Sequence, residues 1–437
     1  MRATIDSAVA EVLAEAVESG ETAGAVAGIG VAGSAPSFYA CGVAALDDGR
    51  PVHAESRFSI GSLTKQFTAA CTLILLDRGR LSLDDRLDAY LPEARRLPPI
   101  TIRQLIHHTS GLPKINSRTG DDPFVAVSAR ERLDAIDQAS CRAPGERYNY
   151  SNVNYWLLGK VVEVASGTSF QSFLHDEVLR PLSMNDSGCD VARRSVGGHT
   201  GVPGALRRAR DWHPGWLGPA AMLVSSAPDV LRWDFGLKSL LSAEAFAAMF
   251  APDPATAVVR YACGWVVSEH NGAPFVWHNG EIGGFQAANV LLPSASAAVC
   301  VLTNTDGLQG ETADPLFLAQ RIAHYVAPAP EVETEPQVRS AALELAERRF
   351  ESSRFSARLR RAADAEAVAA LRSEGFGPVL ALRAFAAEPV ERGERFRFSV
   401  RYRKHHRTLT MVLGDDGLID EFSFTVHNFE YGPLARR

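Results

Sequence analysis

"SIGSLTKQFT", residues 59–68, places Ser62 three residues before Lys65, just ahead of a long apolar run. The run continues to Arg78, and Gly79 supplies a stop, so the spacing predicts a helix over 62–78. Positions i and i+3 share one helix face. Ser62 would sit in the first turn, where free backbone N–H groups and the helix dipole favour developing negative charge. Two readings follow: a serine nucleophile with a lysine as its proton acceptor, or a capping serine and a solvated lysine.

The composition sharpens the choice. Of the 45 lysines and arginines only five are lysine: Lys65, Lys114, Lys160, Lys238 and Lys404. A serine hydroxyl needs a base to become nucleophilic. A buried lysine can serve, because loss of solvation pulls its pKa towards neutrality; arginine does not deprotonate. A second motif stands at Tyr150-Ser151-Asn152, inside "RYNYSNVNYWLLGKVVE". A tyrosine near an amine can carry or relay a proton, and Asn152 offers a donor and an acceptor to a substrate amide. The alternative is a tyrosine-rich helix start packed on the core, the part expected of Tyr148 and Tyr155. Which of Lys65 and Tyr150 takes the proton is open at this level.

Outward from the motifs, the chain is ordinary globular material. It has 437 residues, 46% of them hydrophobic and 22% charged, with a net charge of -6. That length fits two or three domains, and the acidic balance speaks against nucleic acid or an anionic membrane as partner. Acidic residues interrupt every apolar stretch near the start, and no run is long enough to span a bilayer; the expectation is a cytoplasmic protein. Cys41, Cys71, Cys141, Cys189, Cys263 and Cys300 show no CxxC or zinc spacing, so free thiols are expected.

Residues 5–19 read as a helix ended by Gly20, and 24–33 and 37–44 as strands. "TIRQLIHHTSGL" starts a short helix with Thr101 as N-cap, and 150–180 is helical. After 260 come strands, with a turn at Asn271-Gly272. This order predicts an α+β unit, an antiparallel sheet built from both ends of the segment with a helical block inserted. "APAPEVETEP", 327–336, reads as a linker. Beyond it, 337–374 has helical spacing, and strands are expected at 379–387, 395–402, 407–413 and 418–426. The domains are therefore 1–326, the linker 327–336, and a small α+β domain at 337–437. That last domain resembles cystatin-like or NTF2-like folds, with a small lipocalin-like barrel as the competitor.

Ser62-x-x-Lys65 opening a helix, then "TIRQLIHHTSGLP", then "PGERYNYSN" resembles the serine β-lactamase and penicillin-binding-protein superfamily. Within it the chain is most similar to class C β-lactamase-like esterases and D-aminopeptidases, over about residues 5–325. The resemblance implies a β-lactamase-like antiparallel sheet flanked by helices, and a third motif of Lys or His, any residue, and Gly on a strand lining the site. Four His-x-Gly strings occur, starting at His199, His213, His270 and His278. Only His278 follows a strand ("PFVW") and precedes "GGF" and two more strands, which matches the family order. Gly280 would let substrate backbone come close. By resemblance the backbone N–H groups of Ser62 and Glu281 form the oxyanion hole, and Asn152 and His278 position substrate and hold the Lys–Tyr pair. Two departures stand out: His-Asn-Gly in place of Lys-Thr-Gly, which weakens the expectation of antibiotic hydrolysis, and Ala220-Ala221 in place of Gly-Gly.

The expected function is a serine hydrolase that forms an acyl-enzyme on Ser62 and hydrolyses an ester or amide, a D-amino-acid amide or small acyl ester. An acyltransferase or peptide cyclase would use the same intermediate. A non-catalytic peptide binder is the alternative from another class. No metal or cofactor is implied: His107 and His108 lack a His-Glu-x-x-His setting, and His405-His406 is expected in a hairpin turn. The expected partner is a small-molecule or peptide substrate, with no nucleic acid and no membrane; oligomeric state is not legible. In "RFRFSVRYR", Phe396, Phe398, Val400 and Tyr402 alternate with Arg395, Arg397, Arg401 and Arg403. The basic face is read as solvated, or as one that attracts a substrate carboxylate.

Overall fold

The apolar stretches at both ends of the first segment pair with one another in the computed structural model. The structure describes residues 2–113, 131, 134, 136, 141–213, 218–270, 272–308, 312–328, 331–347, 355–356, 359, 378–379, 381–391, 393–402, 406–414 and 416–425. The chain divides into two compact units, residues 1–268 with 275–322, and residues 269–274 with 323–437.

The strands of the first unit are β1 (Gly24–Val31), β2 (Ser37–Gly42), β3 (Phe58–Ser59), β4 (His199–Val202), β5 (Ala205–Arg208), β6 (Val224–Ser225), β7 (Val266–His270), β8 (Ala273–Ile282), β9 (Phe285–Leu292) and β10 (Ala297–Thr303). Six of them form one sheet in the order β2-β1-β10-β9-β8-β7. The pairing of β1 with β10 is antiparallel, as are those of β10 with β9 and of β9 with β8. The first and last strands of the segment thus become neighbours, as the run of elements predicts. β1 is buried along all but its last residue, which explains its unbroken apolar character. Helix α1 (Arg2–Glu18) packs on β1 and β2. The helix Ala227–Gly236 packs on β1 and β10. A side chain at Gly30 would collide with the Phe235 ring, so a glycine there lets this helix settle on the sheet. The buried pair Arg321–Glu15, at 2.7 Å, ties α1 to the helix Pro315–Val326.

The inserted segment carries the helix that decides the site. Ser62 lies in a 3-10 turn, Gly61–Leu63, and α2 proper runs Thr64–Asp77 with Arg78 as its C-cap. The predicted helix start is therefore split, and Ser62 stands just before the α-helical turn that carries Lys65. Every residue from Thr64 to Leu75 is buried, as expected of a helix apolar on all sides. The short helix Ile102–Ile106 starts with the capping box expected of Thr101, closed by Gln104. The helix Asn152–Ser166 follows Tyr150 directly and ends at Gly167.

The second unit holds an antiparallel sheet of four strands in chain order, β11 (Ala381–Val390), β12 (Gly393–Arg401), β13 (His406–Leu413) and β14 (Ile419–Thr425). The helix Pro336–Ala346 shares its core, through Ala342 and Leu345 with Phe398, Val400, Leu409 and Met411. Among the described residues the sheet is open, and no pairing closes β14 onto β11 into a barrel. Val332, inside the stretch expected as a linker, gives its N–H to Ala384 O at 2.8 Å and packs on this core. His406 opens β13 and is not a turn residue, while His405 lies outside the described residues. So do Lys114, Asn271, Arg403 and most of 347–378. The alternation of "RFRFSVRYR" holds where it is described: Phe396, Phe398 and Val400 are buried, and Arg395 and Arg397 bind Glu388 at 3.2 and 3.0 Å. All six cysteines are free. Among the described residues no helix is long and apolar enough to cross a membrane.

Candidate active site

Ser62 Oγ is held between an amine and a phenol. Lys65 Nζ stands 2.9 Å from it, and the Tyr150 hydroxyl donates to it at 2.8 Å. Lys65 Nζ also reaches Asn152 Oδ1 at 2.8 Å and the carbonyl oxygen of Ala220 at 2.9 Å. The structure therefore brings Ser62, Lys65, Tyr150 and Asn152 into one cluster, with 88 positions of chain between Ser62 and Tyr150 and 87 between Lys65 and Asn152. Two threonines of α2 secure the loop that carries Ala220: Thr68 Oγ1 donates to Pro219 O at 2.6 Å, and Thr64 Oγ1 accepts from Leu223 N at 3.0 Å.

The three partners of Lys65 sort its protons. Ala220 O and Asn152 Oδ1 can only accept. A neutral amine has two N–H bonds to give them and keeps one lone pair, which then faces the Ser62 hydroxyl. Burial pushes the Lys65 ammonium well below its usual range, and the positive end of the α2 dipole acts in the same direction. Burial also raises the Tyr150 phenol, with the bond to Ser62 working against it. The Tyr150 ring lies 4.8 Å from Nζ. Amine and phenol are thus both favoured in their uncharged forms.

The opposite wall is built by two glycines. A Cβ on Gly61 would stand 2.6 Å from Glu281 N, and one on Gly280 would collide with Ile60 O and stand 2.9 Å from Ser62 N. Without side chains there, the Ser62 turn and the end of β8 meet backbone to backbone. The Glu281 carboxylate turns to Gln286 Nε2 at 2.9 Å. Beside this wall a cavity is lined by Ser59, Val191, Trp212, Ala221, Met222 and Ile282, neighbours in the chain of Ser62, Ala220 and Glu281.

His278 is in the layer behind. It is 3% exposed, its Nδ1 donates to Asn279 O at 2.5 Å, and its Nε2 accepts from the Tyr261 hydroxyl at 3.0 Å. Burial, with the Lys65 charge second, pushes its imidazole down to about 3, so the ring is neutral. It packs at 6.3 Å, centroid to centroid, from the Tyr150 ring. Gly280 and Glu281 lie two and three residues further along the same strand.

Two contributors carried no usable signal in the sequence, and a third stands inside a motif without a role of its own. The Ala220 carbonyl is backbone. Tyr261 stands in "RYACGW" with no motif around it. His108, in "TIRQLIHHTSGLP" with no His-Glu-x-x-His setting, is wholly buried and packs 4.4 Å from the Tyr150 ring. Among the described residues no cluster of His, Cys, Asp and Glu could hold a metal ion.

The family model described as Beta-lactamase matches residues 9–323. Protein flp of Staphylococcus aureus (strain N315) is 28% identical over 277 residues, 57% of this chain and 53% of that protein. The chain thus spans about half the length of the curated relatives it matches. The structure is similar to the D-amino acid amidase from Ochrobactrum anthropi SV3 complexed with D-phenylalanine, with TM-score 0.66 and 20% identity, covering 74% of this chain and 99% of that one. It is also similar to the octameric penicillin-binding protein homologue from Pyrococcus abyssi, with TM-score 0.63 and 21% identity, covering 97% and 98%. At such identities the likeness is one of fold.

Proposed function

The chain belongs to the Beta-lactamase family, and from that premise we propose that it is a serine hydrolase forming an acyl-enzyme on Ser62 and hydrolysing an ester or amide. The substrate class is a D-amino-acid amide or peptide, or a small acyl ester. One observation carries the reading: Ser62 Oγ stands 2.9 Å from the nitrogen of a buried lysine and 2.8 Å from a phenol hydroxyl. A solvated lysine and a capping serine would show neither the burial nor the convergence.

In the proposed cycle Lys65 is the base. The Ser62 hydroxyl proton moves to the Nζ lone pair as Oγ attacks the carbonyl carbon. The oxyanion that forms accepts hydrogen bonds from the N–H groups of Ser62 and Glu281, donors of a kind worth about 10²–10³ in rate. The leaving amine or alcohol takes the Tyr150 hydroxyl proton, and the Lys65 ammonium restores it. Water then attacks the ester on Ser62, gives its proton back through the same pair, and frees the acid. Asn152 Oδ1 and Ala220 O hold Nζ in place throughout. The cavity at Trp212, Met222 and Ile282 would take an apolar side chain of the acyl group.

The test is a panel of p-nitrophenyl esters, L- and D-aminoacyl anilides and a chromogenic cephalosporin, run on the wild type and on Ser62→Ala. Intact-mass detection of an acyl adduct accompanies it. Turnover of an ester or D-anilide that vanishes in Ser62→Ala, with an adduct on Ser62, supports the reading. No turnover and no adduct would leave a peptide binder. New amide product on adding an amine acceptor would make the enzyme an acyltransferase.

A further inference from the structure

The proposed cycle needs the Tyr150 hydroxyl on Ser62 Oγ, and one residue outside that cycle takes hold of Tyr150 from three sides. The carbonyl oxygen of His108 accepts the N–H of Asn149 at 2.8 Å, and its Nδ1 accepts the N–H of Ser151 at 3.2 Å. The residues before and after Tyr150 are thus bound to the same histidine. Its imidazole also packs on the Tyr150 ring, with centroids 4.4 Å apart and planes 39° apart.

The histidine is itself over-determined. Its backbone has φ 57°, a left-handed conformation that residues with a Cβ adopt at a cost. Asn154 Nδ2 reaches the same Nδ1 at 2.9 Å. At the other end of that amide, Asn154 Oδ1 accepts from Ser110 Oγ at 2.6 Å. Two donors aimed at Nδ1 leave it no proton, so the ring is neutral with its hydrogen on Nε2. That N–H is buried with no hydrogen-bond partner. The imidazole lies among the rings of Tyr150, Tyr261, Tyr155 and Tyr148, whose centroids stand 4.4, 4.8, 5.1 and 6.0 Å from its own. A buried donor left unpaired is costly, and a residue kept for packing alone would not need one.

We propose that His108 is a positioning residue: through both neighbouring peptides and the ring face it fixes the Tyr150 phenol on Ser62, and so sets the rate of acylation without touching substrate. This rests on the catalytic reading given above. A 1 Å error in placing a catalytic group can cost about a hundredfold in rate, which sets the scale of the effect.

The test is a cycle of kcat and KM for a p-nitrophenyl ester in four proteins: wild type, His108→Asn, Tyr150→Phe and the double variant. Asparagine accepts the left-handed backbone and places an oxygen near the position of Nδ1, but has no ring to press on Tyr150. In the wild-type background His108→Asn should lower kcat about 10- to 100-fold with KM little changed. In the Tyr150→Phe background, where no hydroxyl remains to be placed, it should change kcat by less than about twofold. The same loss in both backgrounds overturns the proposal. If His108→Asn does not accumulate as folded protein, His108→Phe, which keeps a ring and loses the acceptor, enters the same cycle. A wild type that leaves every ester untouched refutes the hydrolase reading, and His108 is then judged by NMR of ring-labelled tyrosine. The Tyr150 signal, assigned by its loss in Tyr150→Phe, should report slow ring flips that His108→Asn makes fast; unchanged line shapes overturn the clamp.

Discussion

The carbonyl oxygen of Ala220 accepts a hydrogen bond from Lys65 Nζ at 2.9 Å. The contact uses no side-chain atom of Ala220, so the alanine that replaces the family's glycine leaves it intact. Both alanines of the pair are buried, and Ala221 packs in a small apolar cluster with Trp212 and Ile282. Together with Asn152 Oδ1, Ala220 O consumes both N–H bonds of a neutral amine and leaves its lone pair for Ser62.

Lysine at position 65 should therefore be irreplaceable by arginine. Arginine keeps the charge but does not release its proton, and its fork does not fit three converging single partners. Lys65→Arg should lower the acylation rate by about 10²–10⁴, the usual worth of a general base. The burst of p-nitrophenol in stopped flow measures it. A burst within tenfold of wild type would transfer the base role to another group.

Asn152→Asp should move the pH profile. A carboxylate in place of Asn152 Oδ1, 2.8 Å from Nζ, favours the ammonium and raises the pKa that burial holds down. The active form is the free amine, which is lost as pH falls. The acid limb of kcat/KM should therefore move upward, by about 1–3 pH units. His278, pushed down to about 3 by burial, stays neutral throughout that range and adds no limb of its own. A profile that keeps its midpoint in Asn152→Asp contradicts Lys65 as the titrating base.

Gly280→Ala should damage the oxyanion wall. The added methyl would collide with Ile60 O and press on Ser62 N, forcing β8 away from the serine turn. Losing one donor of the pair costs about 10²–10³ in kcat. Denaturation midpoints close to wild type, beside such a loss, would place the defect at the site. An unaltered kcat would show that the Ser62 and Glu281 amides do not meet the oxyanion.

What the sequence made legible was local. Ser62 and Lys65 lie three apart, a spacing that puts both on one face of a helical turn, and Tyr150 and Asn152 lie two apart across the extended N-cap Ser151, a spacing that points both side chains to one side. The sheet was legible because β1 and β10 are apolar over nearly their whole length, as strands buried on both faces must be. What stayed hidden depends on chain folding back. His108 meets Ser151 across 43 positions and Tyr261 meets His278 across 17, and neither pair has a fixed spacing to search for. The left-handed turn at His108 has no glycine to mark it. In the stretch 327–336 the Pro and Glu content suggests a tether, and composition does not mark that Val332 within it donates to Ala384 and packs on the core of the second unit.

Asp234 offers a test in stability alone. Its Oδ1 accepts from Asn289 Nδ2 at 2.7 Å, while its Oδ2 is buried without a partner. Asn289 Nδ2 also approaches Gln66 Oε1 of α2 at 3.3 Å, the same oxygen that accepts from Trp233 Nε1 at 3.1 Å. Burial raises the Asp234 carboxyl well above its usual range, with the Asn289 bond opposing. The folded chain thus keeps a proton there that the unfolded chain releases above about pH 3.9. Stability from this group is complete below that value and is lost as pH rises towards the folded pKa. Asp234→Asn keeps the acceptor for Asn289 and removes the ionisation. It should stabilise the fold by at least about 1 kcal/mol at pH 8, with the gain shrinking to nothing near pH 4. Urea denaturation of the two proteins across that range measures it. A gain that is flat with pH would mean that Asp234 carries no raised pKa, and a loss at pH 8 would mean that its charge is paired in the fold.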